Sequence, residues 1–189
     1  MVKYGATCMV VMLLLTTLFS QNLEQQKKSK EKIYSVEKKK KVKFVIPQGW
    51  KDKVEKKSGF SPYTVSLVDP KDKSSKLLVS MIPLDEQPAD FKNQENIRKS
   101  LEIKGEQLLS SSVQDSLVIV EFSGINSPGY YYFLTDRAPK PGEYKHIYQG
   151  SIGVGEILVT FTLLTNNKDS EFIDQAFDLI IKIEFIKPG

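Results

Sequence analysis

The chain has 189 residues, enough for one domain with a hydrophobic core and too few for two domains of ordinary size. Its net charge is +4, but residues 21–41 hold eight lysines against three glutamates, whereas acidic side chains slightly outnumber basic ones in residues 42–189. Nucleic-acid binding depends on concentrated basic charge on a folded surface, so this distribution argues against a nucleic-acid partner.

The first 20 residues have the pattern of a secretory signal peptide. Lys3 gives a short positive start, residues 5–19 are largely apolar, and the sequence turns polar at Ser20. The apolar run is short for a membrane span, which needs about 20 residues. We therefore predict cleavage after Ser20 and a periplasmic or secreted protein, with retention as an N-terminal anchor as the alternative. The only cysteine, Cys8, would leave with the signal peptide, so the mature chain would have no disulfide and no cysteine ligand for a metal.

Residues 21–41 are polar, rich in lysine and without hydrophobic periodicity, which predicts a flexible leader. The run Lys38–Lys41 could make weak contact with an anionic membrane surface, at about 1 kcal/mol per charge. The alternative is a solubilising spacer with no partner.

A single domain is predicted over residues 42–189, with strands and helices in the order three strands, helix, four strands, helix. The predicted strands are residues 43–47, 63–69, 76–84, 115–123, 130–135, 144–152 and 156–165. The first helix is predicted from Pro88 to Leu109, with Pro88 in its first turn. Strand 115–123 is apolar on both faces, so we expect a central position for it.

The last strand and the second helix carry the clearest periodicity in the chain. In the strand, alternate residues are apolar, and in the helix apolar residues recur every three or four positions: Ile157, Val159, Phe161 and Leu163, then Phe172, Ile173, Ala176, Phe177, Ile180 and Ile183. A strand and a helix with one apolar face each must cover one another. The sequence therefore predicts an α+β fold in which an antiparallel sheet of about six to seven strands is sandwiched by two helices.

Few residues are candidates for catalysis. His146 is the only histidine, no second group accompanies it in a catalytic motif, and a structural or surface role is expected. No acidic cluster has the spacing of a calcium loop. We predict no catalytic, cofactor-binding or metal-binding residue, and hence no enzyme.

Tyrosines are the more informative residue type. Residues 130–133 are four consecutive aromatics, so both faces of their strand carry rings, and further tyrosines fall on the neighbouring strand. The predicted contact patch consists of Tyr130, Tyr132, Tyr144 and Tyr148. The alternative is that these rings are buried against a helix with their hydroxyls at its edge.

The domain opens with Phe44-Val45-Ile46-Pro47-Gln48-Gly49-Trp50 and closes with Ile180-Ile181-Lys182-Ile183-Glu184-Phe185. In these motifs, and over about residues 42–186, it resembles the α/β/α sandwich shared by PsbP-type photosystem subunits, Ran-binding Mog proteins and many bacterial envelope proteins. The resemblance implies a binding or assembly module, and it assigns no particular binding residue.

Three functional hypotheses follow. The first is an exported, non-enzymatic binding or assembly module whose partner is another protein of the cell envelope. The second is a carrier of a small apolar ligand, held between helix Pro88–Leu109 and the sheet. The third is a hydrolase that uses paired carboxylates, although the sequence favours no particular pair.

Overall fold

The computed structural model describes the chain in five ranges, residues 29–37, 40–55, 62–86, 93–125 and 127–187. The predicted signal peptide at 1–20, the start of the leader and Pro88 lie outside these ranges. Along the described part of the chain, no helix combines the length and the apolar character that crossing a bilayer requires.

Ten strands and two helices make up the described structure. The strands are β1 Ser29–Ser35, β2 Lys41–Pro47, β3 Lys51–Glu55, β4 Tyr63–Val68, β5 Ser75–Pro83, β6 Val120–Ser123, β7 Pro128–Thr135, β8 His146–Val154, β9 Ile157–Thr165 and β10 Glu184–Ile186. The helices are α1 Gln94–Leu109 and α2 Glu171–Ile181, and a 3-10 turn at Leu84–Glu86 follows β5. Helix α1 begins after Asn93, whose side chain accepts a hydrogen bond from the backbone of Glu95, and the start predicted at Pro88 lies outside the described residues.

The strands form two antiparallel sheets that pack on one another. The larger sheet has the order β3-β4-β5-β9-β8-β7-β6, and the smaller has the order β1-β2-β10. The smaller sheet and α2 cover one face of the larger sheet, whereas α1 covers part of the other face, over β7 and β8. The predicted α+β fold with a sheet between two helices is confirmed, and the three-stranded sheet is an addition to it.

Strand β9 lies at the centre of the core. Its alternate residues Ile157, Val159, Phe161 and Leu163 are each at most 1% exposed. From the other side, α2 buries Phe172, Ala176 and Ile180 against them. The apolar faces of both periodic segments therefore pack in the core as predicted, except that Ile183 is buried from just beyond the end of α2.

The predicted flexible leader is wrong for its second half, because Ser29–Ser35 form strand β1 and pair along the whole length of β2. Burial of Tyr34 explains why these residues form a strand. The side chain is 3% exposed and packs edge-on against Phe44, with ring centroids 4.9 Å apart. Its hydroxyl donates to Asp52 Oδ2 at 2.8 Å, and Lys32 donates to the same oxygen. Asp52 belongs to β3, so these bonds join the two sheets.

Lys40 is also not the solvated lysine that was expected in the run Lys38–Lys41. It is 8% exposed, and its ammonium pairs with Asp85 and with Glu37. Burial by itself would lower the pKa of Lys40, but the hydrogen bonds from Lys40 to the two carboxylates raise it, so the side chain is charged. A membrane contact by the run Lys38–Lys41 stays a prediction, and Lys40 is committed to an internal ion pair.

The apolar stretch 115–123 is not a central strand. Only Val120–Ser123 form a strand, and β6 lies at the outer edge of the larger sheet, next to β7. Leu117 and Ile119 pack against the cluster under α1, which accounts for part of the apolar run. Val118 and Val120 instead point to solvent, at 65% and 38% exposure.

Candidate functional site

The four tyrosines predicted as one contact patch lie on different surfaces. Tyr148 pairs across the strands with Phe133, whereas Tyr130 and Tyr132 point to the opposite face of β7, toward α1. Tyr144 is half-buried in the connection between β7 and β8, before the strand begins. The predicted grouping is therefore wrong, because alternation along β7 separates Tyr130 and Tyr132 from Tyr148.

Tyr132 is a core residue and offers no contact area. It has 0% exposure and packs with Leu101 and Leu134, and its hydroxyl donates to Gln149 Oε1 at 2.5 Å. Burial raises the pKa of Tyr132 to about 12, so the hydroxyl keeps its proton at neutral pH. Tyr130 is half-buried beside it and packs between the two apolar clusters under α1.

On the other face of the larger sheet, five half-buried aromatic rings form one continuous group, which we call the aromatic surface. It consists of Phe122, Tyr131, Phe133, Tyr148 and Phe177. Phe133 and Tyr148 have ring centroids 4.6 Å apart, and Tyr131 lies 4.8 Å from Phe177 of helix α2. Further pairs, Tyr148–Phe177 at 5.9 Å and Phe122–Tyr131 at 6.1 Å, complete the group.

The backbone explains why these rings gather at one place. Phe122 of β6, Tyr131 and Phe133 of β7 and Tyr148 of β8 all point to the face that α2 partly covers. Gly150 lies opposite Tyr131 and has no side chain, so the Phe161 ring fills the space beneath. Phe177 on α2 contacts four neighbouring rings and lies at the border of the area of the sheet that the helix covers. Beyond Phe177 the remaining rings stay partly exposed.

Carboxylates border the aromatic surface on the side of α2. Burial raises the pKa of the Tyr148 hydroxyl, and the nearby Tyr131, Asp169 and Asp174 raise it further. Asp169 and Asp174 are both exposed. The surface thus combines apolar rings with hydroxyl donors and an acidic margin, which is a composition suited to protein contacts.

His146 lies at the end of the aromatic surface as a structural residue. It is 8% exposed, stacks on Phe133 at 5.7 Å, and its Nδ1 lies 3.0 Å from Thr135 Oγ1. Burial lowers the pKa of His146, and the charges of Lys145 and Lys168 lower it further, against a smaller opposing effect of Asp169. The ring is consequently neutral at pH 7.

His146 should make the fold less stable in mild acid. Because its pKa is lower in the folded chain than in the unfolded chain, the unfolded state takes up the proton first as the pH falls below about 6.5. Stability should therefore decrease between about pH 7.5 and about pH 5. Urea unfolding at both pH values should show a smaller decrease for His146→Gln than for the wild type. Since the chain has one histidine, an identical decrease in both proteins would contradict this assignment.

The acidic residues near turns have structural partners. Burial would raise the pKa of Asp72, but hydrogen bonds from Ser74, Ser75 and Ser170 lower it. Ser170 in turn accepts from the backbone of Phe172 and caps α2, so Asp72 stabilises the start of that helix. In the ranges that the structure describes, no three His, Cys, Asp or Glu side chains are grouped so as to hold a metal ion.

The space between α1 and the sheet, which an apolar ligand would occupy, is filled by side chains. Ile97 and Leu101 of α1 are at most 3% exposed and pack against Leu158 and Tyr132 respectively. At Gly105 the packing is closer still, since an added Cβ would lie 2.6 Å from Leu117 Cδ1. This packing gives the carrier hypothesis no support.

Comparison with solved structures identifies the fold. The solution structure of cyanobacterial PsbP (CyanoP) from Synechocystis sp. PCC 6803 is similar with a TM-score of 0.53 at 16% sequence identity, over 82% of this chain and 92% of that chain. A crystal structure from Bacteroides thetaiotaomicron VPI-5482 is similar with a TM-score of 0.47 at 16% identity, over 77% of this chain and 45% of that chain. No protein-family model matches the sequence, and no curated protein matches it. The chain has a PsbP-like fold, and the resemblance predicted from its opening and closing segments is confirmed at the level of the fold.

The sequence alone missed most of the aromatic surface. Of the four predicted tyrosines only Tyr148 belongs to it. Tyr131 and Phe133 were recognised among the four consecutive aromatics but were not placed in the predicted patch, and Phe177 was assigned to the apolar face of the second helix. The alternation of residues 130–133 held a usable signal, because Tyr131 and Phe133 must share one face. Which face is left open depends on where α1 and α2 pack.

Proposed function

We propose that this protein is an exported, non-enzymatic binding or assembly module of the cell envelope, and that it contacts a partner protein through the aromatic surface. The observation that carries the proposal is the continuous group of five half-buried rings beside α2. Aromatic residues are enriched at protein interfaces because they bury a large area at a low cost in conformational entropy. The N-terminal pattern of a signal peptide supports export.

The surroundings of the rings support a binding role over a catalytic one. The hydroxyl of Tyr148 has a raised pKa, and His146 is buried against Phe133 and Thr135. Neither arrangement prepares a nucleophile or a general base at neutral pH. A partner protein would instead bury the exposed parts of the rings and meet the acidic margin at Asp169 and Asp174.

Site-specific photo-cross-linking in native cells tests this proposal. Replacing Phe133 or Tyr148 by p-benzoylphenylalanine keeps an aromatic ring at the position, so the surface is disturbed little. Matched control positions are Tyr144, an aromatic residue outside the surface, and Thr64, on the opposite face of the larger sheet.

We expect a discrete cross-linked partner from positions 133 and 148, and none of that mass from the two controls. The same product from all four positions would mean non-specific contact. Products from the control positions alone would place the interface elsewhere and contradict the proposal.

A further inference from the structure

We infer that the partner binds by adding an extended segment as a further strand on the outer edge of β6, with an apolar–basic–apolar sequence facing Val120, Glu121 and Phe122. The inference rests on the proposed function, because it assigns the kind of partner that the aromatic surface receives. It is carried by the open edge, the exposed residues beside it and their charge.

The first observation is that β6 ends the larger sheet with its outer backbone edge open in the described structure. Edge strands offer unpaired N–H and C=O groups, and proteins usually protect them with charged side chains. The opposite edge strand, β3, follows this rule, since four of its five residues, Lys51, Asp52, Lys53 and Glu55, are charged. Strand β6 has one charged residue, Glu121.

The second observation is that the chain at this edge carries exposed apolar side chains, with Val118 two residues before β6, Val120 at its start and Ile125 two residues after its end. Among the described residues, six of the seven exposed large hydrophobic side chains lie between residues 103 and 125, at positions Ile103, Leu108, Val113, Val118, Val120 and Ile125. Exposed apolar side chains on and beside an edge strand offer apolar contact area to a strand that pairs with it.

The third observation is continuity with the aromatic surface. Val120 pairs with Tyr131, and Phe122 lies 6.1 Å from the same ring. Side chains alternate along a strand, so Val120 and Phe122 share the face of the aromatic surface, and Glu121 points to the other face. A strand added to β6 would place every second side chain beside these apolar residues.

The charge of β6 indicates which residue of the added strand should lie between its two apolar residues. Residues 107–135 contain two charged side chains, Asp115 and Glu121, and both are acidic. Glu121 is exposed, and it is in no ion pair with another described residue. A lysine or arginine opposite Glu121 on the added strand would form a favourable cross-strand pair.

End-blocked pentapeptides with the sequence Thr-Val-Lys-Val-Thr and its charge-reversed form Thr-Val-Glu-Val-Thr test the inference on the full chain. Binding would be followed by backbone amide chemical shifts. We expect changes centred on Val120–Ser123 and about tenfold weaker binding of the glutamate peptide. The variant Glu121→Lys should reverse this preference.

Backbone methylation separates strand addition from contact by side chains. A bound edge strand donates hydrogen bonds from alternate residues only. N-methylation of one alternate set of residues in the lysine peptide should therefore abolish binding, and N-methylation of the other set should leave it intact.

Several outcomes would overturn the inference. These are no binding of the lysine peptide, shift changes away from β6, equal effects of the two methylation sets, or a dimer of the chain that already covers β6.

The proposed function is tested separately by the double variant Val118→Lys/Val120→Lys. If that variant still cross-links through position 148, strand addition fails while the aromatic surface keeps its partner.

Discussion

Replacing Tyr34 by alanine is expected to lower the free energy of unfolding by about 3–5 kcal/mol, the range for removal of a buried aromatic side chain. The ring is 3% exposed and packs against Phe44, with Tyr63 at a centroid distance of 6.4 Å. Removing it would leave a cavity between the two sheets. Urea unfolding followed by circular dichroism measures the loss.

Ile33→Ala is the matched control, because Ile33 is the neighbouring residue of β1 and is 57% exposed. Its replacement should change stability by no more than about 0.5 kcal/mol. A third variant, Tyr34→Phe, keeps the ring and removes only the hydrogen bond to Asp52, at a cost of about 1 kcal/mol. Equally small effects of Tyr34→Ala and Ile33→Ala would contradict the packing of β1 and favour a flexible leader after all.

Gly150→Ala should destabilise the chain by about 1–3 kcal/mol, because the new methyl group has no space. A Cβ at this position would lie 2.3 Å from Phe161 Cζ and 2.6 Å from the carbonyl oxygen of Tyr130. The first contact forces the Phe161 ring out of the core, and the second presses on the backbone of β7. Both shifts disturb the floor of the aromatic surface, so thermal and urea unfolding should report the loss.

Strand β8 contains its own control for this substitution. At Gly153 an added Cβ would meet Gln94 Nε2 at 3.5 Å, which is an ordinary contact. Gly153→Ala should therefore be close to neutral. If both alanine variants unfold at the same urea concentration as the wild type, the close packing at Gly150 is refuted.

Segments with strong periodicity were predictable from sequence. Strand β9 and helix α2 bury one face each in the same core, so their apolar residues recur at the spacing of the element that carries them. The order helix, four strands, helix, and with it the fold class, followed from such segments and from the turns between them, whereas strands β1, β3 and β10 were not predicted.

Edge elements were not predictable in this way. Strand β3 has the sequence Lys-Asp-Lys-Val-Glu, which reads as a solvated loop, and β1 has Ile33 and Tyr34 as its only large apolar residues. Such strands form because a neighbouring strand supplies hydrogen bonds and a few anchors supply burial. The stretch 115–123 shows the converse, since its apolar residues suggested a central strand and it lies at the edge.

The binding surface depended on information that a single sequence does not contain. Tyr131 and Tyr132 are adjacent and chemically identical, yet Tyr131 belongs to the aromatic surface and Tyr132 is buried under α1. The difference is decided by which helix packs on which face of the sheet, a long-range property. Alternation separates the two residues but does not say which of them is covered.

The affinity of the cross-linked partner, once purified, for the aromatic surface is the most direct test of the central claim. Phe133→Ser should weaken binding by about tenfold or more, as loss of an aromatic side chain that anchors an interface does, while Tyr144→Ser should bind like the wild type. Urea unfolding must show that both variants keep the fold. Wild-type affinity in a folded Phe133→Ser variant would contradict the account that the aromatic surface is the site of partner binding.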